Sequence, residues 1–464
     1  MVIRSNERSS KSSFGSISDP VRHLAVEMRC LTELRCSKRN ARTHSKKQTK
    51  QIANSIIHFG WTYPILIDEN GFIIAGHGRY QAAQLLGLSE VPVFVLAGLS
   101  EVQKRSLAIA DNKIAANAGW DRGVLAAELG ELATLLPECD LNLEITGFEP
   151  AEIDSILGDF VDPEQDPADT IPEIARQAVS RKGDIWILGT HRILCGNATL
   201  SVDVSQLMGR DRAAMVITDP PYNQKIKKVQ GRGKVKHREF LQASGEMSRR
   251  PYIRFLRSAL LYAVKYSVDG SIHFVFIDWR HVGEMLSAGK RVYSELKNMI
   301  VWVKTNAGQG SFYRSQHELI CAFKNGTAPH RNNVELGQHG RNRSNVWTYA
   351  GANTFRTGRM EDLATHPTVK PVALVADAIR DCSRRGDIVL DPFIGSGTTI
   401  LAAERVGRRA YGLEIDPLYV DAAVRRWQAY AKRDAVLEAT GETFDEIALS
   451  RSSKQSWRAD DADC

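Results

Sequence analysis

An apolar run that stops on two prolines limits this chain more than any other stretch. Ala213-Ala214-Met215-Val216-Ile217-Thr218 is apolar and β-branched, and it ends at Asp219-Pro220-Pro221-Tyr222. Its length and composition predict a short buried strand. Successive prolines fix φ and remove two backbone donors, so the chain must leave the sheet there in a stiff turn. Turns at the carboxyl ends of parallel strands are where open α/β sheets bind ligands. This one presents a carboxylate, backbone carbonyls and an aromatic face. The set suits a flat base with an exocyclic amine: the carboxylate and a carbonyl accept its two N–H groups while Tyr222 stacks on the ring. Asp-Pro is also ordinary turn chemistry, so the functional reading needs a second constellation.

Asp387-Ile388-Val389-Leu390-Asp391-Pro392-Phe393-Ile394-Gly395-Ser396-Gly397-Thr398-Thr399 supplies it. A strand ends in an acid, and a glycine-containing loop then opens an alanine-rich helix from Thr399 to Glu404. The glycines let the backbone approach a ligand, and the helix start offers free N–H donors. A second strand, Arg409 to Asp416, carries Glu414. It lies about twenty residues past the loop, the separation at which an acid binds ribose hydroxyls in nucleotide-binding βαβ units.

Together these residues resemble the amino-methyltransferases of DNA. Asp219-Pro220-Pro221-Tyr222 matches the family's catalytic tetrapeptide, and Asp391 to Thr398 its cofactor loop. His366-Pro367-Thr368-Val369-Lys370-Pro371 matches the short cofactor motif ahead of that loop. The tetrapeptide precedes the loop, which is the permuted order of the beta group, and the resemblance runs from Gly183 to Tyr430. It implies an α/β, Rossmann-like domain over 181–440 that uses S-adenosylmethionine and acts on double-stranded DNA, in the setting of restriction-modification. Asp219, Pro220, Pro221 and Tyr222 are then catalytic. Asp391, Pro392, Phe393, Gly395, Ser396, Gly397, Thr398, Glu414, Thr368 and Lys370 bind the cofactor. Asn197, at the tip of the strand after the Gly183–Cys195 hairpin, is expected at its adenine, although relatives usually carry Asp there.

A chain of 464 residues predicts two or three domains. Its net charge of +7, from 61 basic and 54 acidic residues, is compatible with a polyanionic partner. Seven cysteines without C-x-x-C spacing argue against a disulfide framework or structural zinc, so a reducing cytoplasm is the expected setting and no metal is expected. No apolar run reaches membrane-spanning length. Residues 1–20 read as a disordered leader, 159–180 as an acidic, Pro-containing linker, and 441–464 as a disordered polar tail after a helix over Ala431 to Ala439.

Between leader and linker, 21–158 reads as an α+β domain with a helical extension. Pro64–Asp68 and Gly71–Ala75 predict a hairpin, and Gly76-His77-Gly78-Arg79 opens a helix that Gly87 ends. Glycines and an arginine at a strand-to-helix junction make a phosphate cradle. The stretch resembles the ParB/sulfiredoxin-like domain. That resemblance implies a nucleotide site, for CTP or ATP, at Gly76, His77, Gly78 and Arg79, with Arg79 on phosphate. The plainer alternative is a salt-bridged Arg79 in a domain that only helps to hold DNA.

Gln224 to Arg238 holds eight Lys, Arg or His and no acid, a basic loop suited to DNA phosphates. The loop Gly308–Arg314 either lines a pocket for an extruded base or is an ordinary hairpin tip. Residues 325–365 fall where beta-group enzymes read their target, and their small extent leaves room for the first domain, or a second subunit in a homodimer, to share that task. The expected reaction is methylation of adenine N6 on a flipped base. Adenine is preferred over cytosine N4 because the tetrapeptide starts with Asp, where many cytosine enzymes of this kind carry Ser. The rival class is a ParB-like binding protein with an inactive second domain.

Overall fold

The computed structural model describes residues 25–37, 39–139, 141–158, 175, 177–224, 241–305, 312–334, 336, 343–349 and 370–460. The leader, most of the acidic linker, the basic loop over 225–238, Thr368 and most of the expected target-reading segment lie outside them. The chain divides into two compact units, 1–125 with 144–147, and 126–143 with 148–464.

The first unit comprises β1 (Val26–Cys30), α1 (Lys46–Phe59), β2 (Ile65–Ile67), β3 (Ile73–Ala75), α2 (His77–Leu86), β4 (Glu90–Val95) and α3 (Glu101–Asn117). Its sheet runs β1-β4-β2-β3, with β2 and β3 the expected antiparallel hairpin. Asp68 builds the turn by accepting the Asn70 and Phe72 N–H groups, and its other oxygen accepts Lys104 Nζ at 2.8 Å. Ile65, Ile67, Ile73, Val91 and Val93 form the core, since alternate strand residues share a face. Ser100 and Gln103 close α3 with a reciprocal capping box.

The helix α4 (Arg122–Leu135) begins in the first unit and continues into the second, followed by α5 (Pro150–Gly158). Helix α5, expected within the helical extension of the 21–158 domain, packs within the second unit. The second unit continues with β5 (Ile185–Leu188), β6 (His191–Cys195), α6 (Ser201–Met208), β7 (Ala213–Thr218), α7 (Arg249–Lys265) and β8 (Ser267–Ile277). After them come α8 (Val282–Gly289), β9 (Glu295–Lys304), β10 (His317–Lys324), β11 (Val346–Tyr349), α9 (Val372–Cys382) and β12 (Ile388–Asp391). The last elements are α10 (Thr398–Arg405), β13 (Arg409–Glu414), α11 (Pro417–Ala431), β14 (Val436–Leu437) and α12 (Phe444–Asp460). A ten-stranded sheet runs β11-β9-β10-β8-β7-β12-β13-β6-β5-β14. Its middle, β8-β7-β12-β13-β6, is parallel, and its strands are near-continuous apolar runs because helices pack on the sheet.

The carboxyl-terminal end departs from expectation. Lys432 takes a left-handed conformation (φ +55°) and stops α11, so Ala431 to Ala439 is not a helix. The expected disordered tail contains α12 instead. Phe444 is fully buried against Trp186, at 4.9 Å between ring centroids, and that burial orders the segment.

Candidate active site

β7 and β12 are parallel neighbours, yet the chain continues from β7 to β8 on one side and from β12 to β13 on the other. Such a reversal leaves a crevice beyond the strand ends. Here the crevice opens to solvent, and about 1040 Å³ lies between its walls and out to its mouth. Asp219, Pro220, Pro221 and Tyr222 line one side, and Asp391, Phe393, Gly395, Ser396, Thr398 and Glu414 the other. Two motifs 172 positions apart in sequence (219 to 391) therefore share one cleft.

On the β12 side, Asp391 is buried and held by its neighbours. Thr218 Oγ1 donates to its Oδ1 at 2.8 Å, Thr399 Oγ1 to its Oδ2 at 2.6 Å, and Phe393 N to Oδ1 at 3.1 Å. Burial pushes this carboxyl up to about 6 against those donors. Gly397 starts α10 at φ +85°, and a Cβ there would sit 2.9 Å from Ala423 Cβ, so the loop needs glycine on both counts. Arg426, buried on α11, donates to the Ser396 carbonyl at 3.2 Å and to Thr398 Oγ1 at 3.1 Å, fixing the loop from beneath. Glu414 Oε2 accepts Gly395 N at 3.1 Å and Oε1 accepts Asp416 N at 2.8 Å. Burial pushes Glu414 up to about 7.

Around the Pro-Pro turn, Tyr222 Oη lies 2.5 Å from Asp219 Oδ1, and Lys370 Nζ donates to Asp219 Oδ2 at 2.6 Å. Tyr252 Oη on α7 donates to the Pro221 carbonyl at 2.9 Å. No donor among the described residues bonds the Pro220 carbonyl. Asn223, at φ +53°, ties the turn to 245–247 by donating to the Met247 carbonyl and accepting the Gly245 and Met247 N–H groups. Burial raises Asp219 above the usual carboxylate range, against the pull of Lys370.

Family models agree with this layout. DNA methylase matches residues 213–425, the ParB N-terminal domain 19–113, and the ParB-methyltransferase HTH domain 123–182. The chain carries an N6/N4 DNA methylase domain, with a ParB-like domain ahead of it. The ParB-like nuclease domain-containing protein YnaK of Escherichia coli (strain K12) is 54% identical over 82 residues, covering 18% of this chain and 94% of YnaK. Type II methyltransferase M2.DpnII of Streptococcus pneumoniae is 31% identical over 191 residues, covering 39% of this chain and 66% of that enzyme. The crystal structure of the M1.HpyAVI-SAM complex aligns with a TM-score of 0.38 at 21% identity, covering 50% of this chain and 97% of that one.

Within the methylase domain the structure redistributes some expected roles. Gly397 shapes the loop without lining the cleft, and neither Pro392 nor Asn197 lines it. The Asn197 side-chain oxygen accepts Thr199 N and Oγ1 at 2.9 and 2.8 Å, a local turn. Lys370 lines the cleft, but its ammonium rests on Asp219. Sequence reasoning missed Glu318 on β10 and Lys304 on β9. Lys304 Nζ donates to Glu318 Oε1 at 2.6 Å, and Glu318 Oε2 lies 3.1 Å from both Lys370 Nζ and Tyr222 Oη. The available signal was a pair of opposite charges, Lys304 and Glu318, on either side of the Gly308–Arg314 loop, for which a hairpin tip is one reading.

In the first unit, Gly76 takes φ +102° at the start of α2, which admits the sharp entry. A Cβ on Gly78 would sit 2.9 Å from Ile52 Cδ1 and 3.1 Å from the His44 ring, so Gly78 lets α1 and α2 approach. Arg79 donates to the Tyr63 carbonyl at 2.7 Å. His77 is buried and its Nε2 has no hydrogen-bond partner among the described residues.

Proposed function

We propose that this chain methylates the N6 amine of an adenine extruded from duplex DNA, with S-adenosylmethionine as donor. One observation carries the reading: the Asp219 carboxylate and the Asp391–Thr398 loop line a single cleft. The cleft fits the donor. The backbone at Gly395, on the cleft wall, leaves room for close approach, half-buried Glu414 suits ribose hydroxyls, and Asp391 suits an ammonium or sulfonium charge. When bound, the donor supplies an electrophilic methyl group.

The chain's own residues do the rest. Asp219 and the Pro220 carbonyl accept the two amine hydrogens, which draws the nitrogen toward a geometry with a localised lone pair. Tyr222 holds the base, and the rigid prolines keep amine and donor in register, so positioning carries much of the acceleration. Extrusion is required because a paired, stacked amine cannot reach the cleft. N4-cytosine methylation by the same site is the alternative, and Asp at the head of the tetrapeptide favours adenine.

The test is to incubate the protein with duplex DNA and labelled donor, digest to nucleosides and identify the methylated one. N6-methyldeoxyadenosine is expected, and Asp219→Ala should lose transfer while still binding donor. N4-methyldeoxycytidine as the product, or label only in RNA or protein, would overturn the assignment.

We infer a second site in the first unit, a nucleotide-phosphate cradle at the start of α2. The orphan Nε2 of buried His77, beside the free N–H groups of a helix start, supports it. Calorimetric titration with CTP and ATP, on wild type and Arg79→Ala, tests it; no heat with either nucleotide ends it.

A further inference from the structure

Asp219 and Glu318 share two polar neighbours. Lys370 Nζ lies 2.6 Å from Asp219 Oδ2 and 3.1 Å from Glu318 Oε2. Tyr222 Oη lies 2.5 Å from Asp219 Oδ1 and 3.1 Å from Glu318 Oε2, and its single hydrogen serves one carboxylate at a time. Lys304 holds the remaining oxygen, Glu318 Oε1. Three rings wall in the Lys370 ammonium, Phe276 at 5.2 Å, Tyr222 at 5.7 Å and Trp302 at 5.9 Å to the centroids. Its side chain is only 7% exposed, so water gives it little solvation.

Both Asp219 oxygens are thus engaged before any base arrives, yet an incoming amine needs one of them. Lys370 and Tyr222 each have a second acceptor within reach, and in both cases it is Glu318. We propose that Glu318 is a positioning residue for methyl transfer, taking over the Lys370 ammonium when the target amine claims Asp219 Oδ2. The proposal rests on the amino-methyltransferase reading of Asp219.

The charge count explains why both lysines are needed. Two carboxylates and two ammonium groups form a neutral, largely buried set. Without Glu318, moving Lys370 off Asp219 would strand a buried cation. Without Lys370, Glu318 keeps Lys304 but Asp219 is left with no cation beside another carboxylate, and it takes up a proton. A protonated Asp219 presents a donor where the amine needs an acceptor. Burial works to raise Glu318, but Lys370 and Lys304 outweigh it and hold the group at about 2, ready to receive the ammonium. Asp391 on β12 and Tyr252 on α7 also feel the Asp219 charge, and neither supplies a cation.

The test is a carbon-13 carboxyl titration of Asp219 in the full-length, donor-free protein, its signal assigned by loss in Asp219→Asn. The pH dependence of kcat on duplex DNA is measured alongside. Lys370→Met should raise the Asp219 midpoint by about one unit or more, and Glu318→Gln should lower it, opposite signs that loss of packing alone does not give. In both variants kcat should fall at least about tenfold with little change in KM for DNA. The acid limb of kcat should rise with the midpoint in Lys370→Met and return in Lys370→Arg. Should Lys370→Met fail to fold, the isosteric Glu318→Gln carries the test. An unmoved Asp219 midpoint overturns the inference whatever the activities, as does wild-type kcat in Glu318→Gln. Shifted midpoints in a protein whose wild type methylates no DNA would support the shared-cation arrangement and defeat the proposed function instead.

Discussion

Asp154 and Arg408 form a two-point ion pair sealed from water. Arg408 Nη1 donates to Oδ1 at 2.9 Å and Nη2 to Oδ2 at 2.8 Å, with the side chains 2% and 0% exposed for Asp154 and Arg408. Arg408 lies just before β13 and spends its remaining donors on Ser383 and the Val406 carbonyl. The pair fastens α5 to the start of β13, an interior strand of the catalytic sheet. Removing Asp154 would leave a buried guanidinium without its counter-charge, a loss of about 3–5 kcal/mol. Asp154→Ala should lower the unfolding free energy by that order in urea melts. Arg385 approaches the same carboxylate at 3.6 Å but is 26% exposed, so Arg385→Ala should cost less, about 1 kcal/mol. Equal losses in the two variants would contradict the assignment.

The two motifs that define the cleft were legible because each is local: a strand, a stiff turn and its polar ends lie within a dozen residues. The partners of Asp219 were not, since Glu318 reaches it only through sheet pairing. β10 lies two strands from β7, and nothing near Asp219 in sequence encodes that neighbour. Lys370 was found but given to the donor, because a motif fixes a residue's identity and not where its ammonium turns. The tail hides its structure for a different reason. Its polar composition hid a reciprocal cap at Thr443 and Glu446, the Thr-x-x-Glu signature of a helix start. Phe444, buried just inside that cap, is the residue that ties α12 down.

The raised carboxyls on the β12 side give stability a definite pH dependence. Burial pushes Glu414 up to about 7 and Asp391 up to about 6 in the folded chain. Unfolded, such groups titrate near about 4.3 and 3.9. Between the two sets of values the folded chain binds more protons, so their contribution is greatest at low pH and is lost as pH rises through 4 to 7. Glu318 and Glu404, each held at about 2, act with the opposite sign: their contribution is present above about 4.3 and lost as pH falls toward 2. Urea melts of donor-free protein should therefore show wild type gaining stability on Glu414→Gln as pH drops from 8 to 5. Below pH 4 the two proteins should lose stability together. A gap that stays constant from pH 8 to 5 would show that Glu414 is not titrating there.

Tyr252 couples α7 to the catalytic turn through one hydrogen bond, Oη to the Pro221 carbonyl at 2.9 Å. The ring is fully buried beside Phe255, at 6.3 Å between centroids, so Tyr252→Phe keeps the packing and deletes only the donor. A carbonyl left without its partner in that setting costs about 1–3 kcal/mol. Part of that cost can be relieved by rotation of the Pro221 peptide, and the same rotation would move Tyr222 and the Asp219 carboxylate. The turn has no backbone donors at 220 and 221 with which to resist. Tyr252→Phe should therefore lower kcat for methyl transfer more than it raises KM for DNA, with donor affinity unchanged, because the β12 side of the cleft is untouched. Steady-state kinetics with a donor-binding titration separates these effects. A variant that loses donor affinity and keeps kcat would place the consequence of this bond on the wrong side of the cleft.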